Sequence, residues 1–270
     1  MNNQAIQLTT PRGVFRVALD GDSAAPVLVL SNSLGTTLEM WDPQVAAFSR
    51  RYRLLRYDTR GHGGSPAGSG PCTIDDLGRD VLALLDALQI ERAAFCGISM
   101  GGHTGLWLGI HAAERFTAIA VCNSAAKIGT EQAWRERAAM VRAGGAAGMR
   151  ALADSAPGRW FSEACIQAQP AMVRHMQDAL AGLDAEGYAA CCEALAASDL
   201  RADLGRIARP TLLLAGQWDP VTTVADAQAM QAAIAGSRLA VVPASHLSNL
   251  EAPQAFDDAL LGFLAEAKAT

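Results

Sequence analysis

The sequence predicts an α/β protein: a mostly parallel, twisted sheet with helices on both faces, interrupted by an all-helical insertion. Three observations carry that prediction. Short apolar runs alternate with stretches of helical period, the mark of strand–helix–strand units whose crossovers make neighbouring strands parallel. Half of the 270 residues are apolar, enough for one large buried core. From about residue 129 to 204 the alternation stops, and alanine-rich helical segments follow one another without a strand pattern.

Taken in order, "RVAL" (16–19) and "VLVLS" (27–31) read as strands joined by the turn "DGDSAAP", and "YRLLRYD" (52–58) as a third. "TIDDLGRDVLALLDAL" (73–88) reads as a helix: Thr73 can cap it, Asp76 sits three residues on, and apolar positions recur at helical spacing. "AAFCG" (93–97) is a short buried strand, and Met100 to Ala113 the helix after it. "TAIAVCN" (117–123), "TLLLAG" (211–216) and "RLAVVP" (238–243) complete the strands, and a helix from about Ala252 to Ala267 closes the chain. The expected organisation is a core of residues 1–128 and 205–270 carrying a helical cap at 129–204.

Composition narrows the function. A net charge of −5 with no basic patch argues against a nucleic-acid partner. No apolar run approaches the ~20 residues of a membrane span, so no membrane partner is expected. The opening "MNNQAIQLTTPRG" lacks the basic and apolar regions of a signal peptide, which predicts a cytoplasmic protein. Cys72, Cys96, Cys122, Cys165, Cys191 and Cys192 are scattered with no C-x-x-C spacing. They are expected to be buried, reduced thiols and not disulfides or zinc ligands.

One turn asks for more than folding. "AAFCGISMGGHTGLWL" (93–108) sets Gly97, Gly101 and Gly102 around Ser99, between a strand and a helix. Strand, G-x-S-x-G, helix is the context of a nucleophile elbow. The serine sits on a strained turn that lifts its hydroxyl above the sheet. Residues two positions either side must lack side chains, because strand and helix pass close together. The helix from Met100 also points its N-terminal amides at the site, favouring negative charge there.

A serine needs a base, and the base an acid. Of the five histidines, His62 lies in a turn after a strand, His103 and His111 on the helix after Ser99, and His175 in the cap. His246, in "VPASHLSNLEAP", follows the last predicted strand. Loops after the C-termini of parallel strands share one rim, where ligands bind. "TLLLAGQWDPVTT" places Asp219 on the same rim, with Pro220 helping to fix the turn. The oxyanion hole then needs two amides: Met100, directly after the nucleophile, and Leu34 in the loop "NSLGTT" after "VLVLS".

With these residues placed, the chain resembles the α/β-hydrolases, and more narrowly the bacterial 3-oxoadipate enol-lactonases. The likeness runs over essentially the whole chain. It is carried by "SNSLGTTLEMWDPQ" (31–44), "YDTRGHGGSPAG" (57–68), "CGISMGGHTGLWLGIHAAERF" (96–116), "NSAAKIGT" (123–130), "AGQWDPVTT" (215–223) and "ASHLSNLEAP" (244–253). Asn32-Ser33 stands where many relatives carry His-Gly, a departure typical of the enol-lactonase group. The resemblance implies the α/β-hydrolase fold and hydrolysis of 3-oxoadipate enol-lactone by Ser99, His246 and Asp219, with no metal or organic cofactor.

Such a substrate is a small anion, so a cation should face the site. "EQAWRERAAMV" (131–141) sets Trp134 and Arg137 on one helical face. Trp134 is expected to pack on the lactone ring, and Arg137 or Arg135 to meet the carboxylate. The alternatives are another serine hydrolase on this scaffold, such as a general esterase or a carbon–carbon bond hydrolase, and a ligand-binding receptor that keeps the triad.

Overall fold

Eight strands form one sheet in the computed structural model, which describes residues 5–68 and 70–267. They are β1 (Ile6–Thr10), β2 (Gly13–Asp20), β3 (Val27–Ser31), β4 (Arg53–Tyr57), β5 (Ala93–Ile98), β6 (Phe116–Cys122), β7 (Thr211–Gly216) and β8 (Arg238–Val242). Their spatial order is β1-β2-β4-β3-β5-β6-β7-β8. β2 runs antiparallel to both β1 and β4, and every other neighbouring pair is parallel. All six residues of β5 and of β7 are buried, as expected of parallel strands covered on both faces. The fold class read from the sequence is the one observed.

The sequence did not anticipate β1. "IQLTT" pairs only with β2 at the sheet edge and leaves most of its residues exposed, so burial imposes no apolar pattern on it.

Eleven α-helices, counted among the described residues, cover the sheet and its rim. The first three are α1 (Asp42–Phe48), α2 (Ile74–Ala87) and α3 (Met100–His111). Thr73 and Asp76 form the expected capping box at the start of α2. Between β6 and β7 run α4 (Glu131–Asp154), α5 (Pro157–Trp160), α6 (Glu163–Ala168), α7 (Pro170–Ala181) and α8 (Ala185–Ala197). Then come α9 (Val224–Ala233), α10 (Ser248–Glu251) and α11 (Pro253–Ala267).

α3 packs on β3, β5 and β6 with α2 outside it, while α11 packs on β6, β7 and β8 and against α1. α4 lies against α7 and α8, and bends at Gly145, whose φ of 52° no helix interior supplies. The ends of this helical excursion meet where Leu200 N–H donates to Ala126 O at 2.8 Å. All six cysteines are buried free thiols. No helix among the described residues is long and apolar enough to cross a membrane.

Candidate active site

Ser99 stands between β5 and α3 with φ 57° and ψ −117°, a backbone conformation that L-residues avoid. The close approach that imposes it explains the flanking glycines. A Cβ on Gly97 would lie 2.2 Å from Gly101 O, and one on Gly101 2.3 Å from Ser31 O. β5 therefore leads straight into α3, and Ser99 is set on the rim at the C-terminal ends of the strands. Among the described residues its hydroxyl takes part in no hydrogen bond, which leaves it available to a partner across the cavity.

Asp219 follows β7 and His246 follows β8, so both reach the same rim. His246 Nδ1 lies 2.8 Å from Asp219 Oδ2. The same carboxylate accepts from Thr222 Oγ1 at 2.8 Å, from the Val221 and Thr222 amides at 2.8 and 3.0 Å, and from Asn123 Nδ2 at 3.1 Å. Burial acts to raise the Asp219 carboxyl, but the His246 charge and these donors outweigh it and hold the group below the ordinary carboxylate range. With Nδ1–H given to Asp219, Nε2 is the imidazole nitrogen that keeps a free lone pair on the cavity side.

Sequence reasoning did not find Asn123 or Thr222. Thr222 had a signal, because a hydroxyl three residues after a turn aspartate can cap it. Asn123 had none: it joins Asp219 only because β6 and β7 are neighbours, and Ser248 Oγ pins its Oδ1 at 2.5 Å.

The loop after β3 is held equally firmly. Asn32 is fully buried and donates to Tyr57 O at 2.7 Å while accepting from Trp41 Nε1 at 2.9 Å. Gly35 N–H donates to His62 Nε2 at 3.1 Å, and His62 Nδ1 faces Arg60 O at 3.2 Å. Burial pushes His62 down to about 4, so the imidazole is neutral and keeps the lone pair that Gly35 needs. Among the described residues, neither the Leu34 nor the Met100 amide donates to a protein acceptor.

Ser99, His246 and Leu34 line a cavity of about 150 Å³, and Trp134, Arg137 and Arg159 from the helical excursion line it too. Trp134 is fixed by Nε1 donating to Ile128 O at 2.6 Å, and the Arg137 guanidinium sits 4.6 Å over its ring. Arg135 is not brought to this cavity: its side chain is 65% exposed and pairs with Glu131 one turn back. Arg159, which the sequence did not single out, takes that place. Burial and the nearby Arg137 charge lower its pKa from the usual guanidinium value. Among the described residues neither Arg137 nor Arg159 forms a salt bridge with an Asp or Glu.

Residues 27–259 match the sequence profile of the "Alpha/beta hydrolase family". The chain belongs to the α/β hydrolase family. This α/β hydrolase is 51% identical to 3-oxoadipate enol-lactonase 2 of Acinetobacter baylyi, over 94% of each chain. It is 48% identical to 3-oxoadipate enol-lactonase 1 of the same organism, over 96% of this chain and 97% of that one. Among solved structures it superposes on the enol-lactonase from Burkholderia xenovorans LB400 with a TM-score of 0.93 at 44% identity, covering 96% of this chain and all of the other.

Proposed function

We propose that the protein hydrolyses 3-oxoadipate enol-lactone to 3-oxoadipate, a carboxylic ester hydrolysis in the β-ketoadipate pathway of aromatic catabolism. One observation carries the reading: a single cavity holds Ser99, the Asp219-bound His246 and two guanidiniums that have no carboxylate partner among the described residues. An anionic lactone answers both halves of it, with an ester carbonyl for Ser99 and a carboxylate for Arg137 and Arg159. Trp134 offers its ring to the lactone. The relatives named 3-oxoadipate enol-lactonase, about half identical over nearly their whole length, support the same substrate.

His246 Nε2 takes the Ser99 proton as Oγ bonds to the lactone carbonyl carbon, and Asp219 steadies the imidazolium that forms. The Leu34 and Met100 amides stabilise the oxyanion, by roughly 3 kcal/mol per donor. The N-terminus of α3 favours the same charge. Collapse of the intermediate breaks the ring C–O bond, and His246 returns the proton to the enol oxygen. The enol stays tethered to the acyl chain and tautomerises to the 3-oxo group. Water then gives a proton to His246 and attacks the acyl-enzyme, and the proton passes to Ser99 Oγ as the acid leaves.

Residues 129–204 act as the cap that sets substrate preference, since Trp134, Arg137 and Arg159 all come from them. Six buried free thiols support a reducing compartment, the cytoplasm.

The test is to add purified protein to freshly generated enol-lactone and follow the loss of its ultraviolet absorbance. The parent protein is expected to consume it and Ser99→Ala to reduce the rate by 10³-fold or more, on the order of the loss for a triad member. Equal loss in both samples overturns the assignment.

A further inference from the structure

The backbone on either side of His246 is tied to the helical excursion. Leu247 N–H donates to Trp160 O at 3.0 Å. On the other side, Ser245 N–H donates to Glu251 Oε2 at 2.9 Å. That same carboxylate accepts from Ser162 N–H at 3.2 Å and from the Ser162 hydroxyl. Ser162 also caps α6, its Oγ accepting from Cys165 N–H at 3.3 Å. One carboxylate thus joins a segment 89 residues away to the peptide beside the imidazole. Among the described residues Glu251 forms no salt bridge, so its charge acts on these neutral donors.

The segment held in this way is the one that brings Arg159 and Trp160 to the cavity. We propose that Glu251 is a specificity-determining positioning residue: it holds the segment bearing Arg159 in register with His246, so that a substrate's carboxylate and its ester carbonyl are presented together. This rests on the reading above that Arg159 meets the substrate anion. A glutamine weakens the tie: its one oxygen can take the place of Oε2, which accepts from both Ser162 N–H and Ser245 N–H, but its NH₂ then stands where the Ser162 hydroxyl donates, and the charge that strengthens all these bonds is lost. Ser162→Ala is the milder variant, removing only the hydroxyl on the excursion side and leaving the Ser245 bond.

The test compares an anionic ester, p-nitrophenyl hemisuccinate, with neutral p-nitrophenyl butyrate. Glu251→Gln and Ser162→Ala are each expected to lower the anionic-to-neutral ratio of kcat/KM threefold or more, mainly through KM for the anion. In an Arg159→Ala background, Ser162→Ala is expected to change the ratio less than twofold, because its effect passes through Arg159. A purely structural role would lower both esters alike and leave the ratio unmoved. A ratio shifted by less than threefold overturns the proposal, and so does an undiminished Ser162→Ala effect without Arg159. Should Glu251→Gln fail to fold, Ser162→Ala decides. Failure to consume the enol-lactone with both esters still cleaved counts against the substrate assignment and not against this one. Absence of turnover with the enol-lactone and with both esters overturns both.

Discussion

Arg137 and Arg159 show how far a residue-scale reading reaches. Trp134 and Arg137 share a helical face by their spacing, and both line the cavity. Arg135, two positions earlier, turns to solvent because 100° per residue carries it to another face. Arg159 sits in the four-residue helix "PGRW", too short to have a period, and only the fold brings it beside Arg137. A hydrogen bond to a charged group is worth about 1.5–3 kcal/mol, roughly a 10–150-fold change in binding. Arg137→Ala and Arg159→Ala are therefore expected to raise KM for the anionic lactone by about 10-fold or more, at that scale. Arg135→Ala should leave it within about twofold, as an exposed i,i+4 pair contributes little. Steady-state kinetics on the three variants decides; a KM change only in Arg135→Ala would reverse the assignment.

At the scale of elements, the elbow is the most fully readable feature. Two glycines flanking a serine between a strand and a helix define a backbone crossing, and the crossing is there, with Ser31 O against Gly101. Overpacking of this kind costs about 1–3 kcal/mol. Gly101→Ala is expected to lower the thermal midpoint and the activity together, because backbone and not a flexible side chain must move. An unchanged midpoint by calorimetry would show that α3 can shift freely. The loops after β7 and β8 were legible as positions, since each follows a clear apolar run. Their internal bonding was not. The Asn123 link to Asp219 and the Glu251 link to Ser162 each join residues about 90 apart or more, a pairing that no local pattern encodes.

At the scale of the molecule, buried histidines make stability depend on pH. His103, on α3, lies within 2.8 Å of Ala125 O through Nδ1 and 2.7 Å of Ser198 Oγ through Nε2, joining the core to the end of the helical excursion. Burial lowers it from 6.5 to about 4, and the Ala125 bond only partly offsets this. The folded state therefore binds fewer protons than the unfolded state between those values. The contribution of His103 is complete above pH 6.5 and is lost as pH falls through about 4. His62 adds the same dependence. His103→Gln is expected to flatten the fall of unfolding free energy between about pH 6.5 and 4 by one proton relative to the parent. Urea titrations at several pH values measure it, and identical slopes would show that His103 is not neutral when folded.

By itself the sequence determined the strand–helix alternation, the elbow around Ser99 and the order of serine, acid and histidine along the chain. These follow from periodicity, glycine sterics and chain order, which are local or one-dimensional properties. Only the tertiary structure decided that Arg159 and not Arg135 faces the cavity, that Asn123 braces Asp219, and that Glu251 ties the His246 loop to the segment above it. Those contacts depend on which strands become neighbours and on how the helical excursion folds back over the rim. That geometry is set by burying the whole apolar surface at once, and no short stretch of residues contains it.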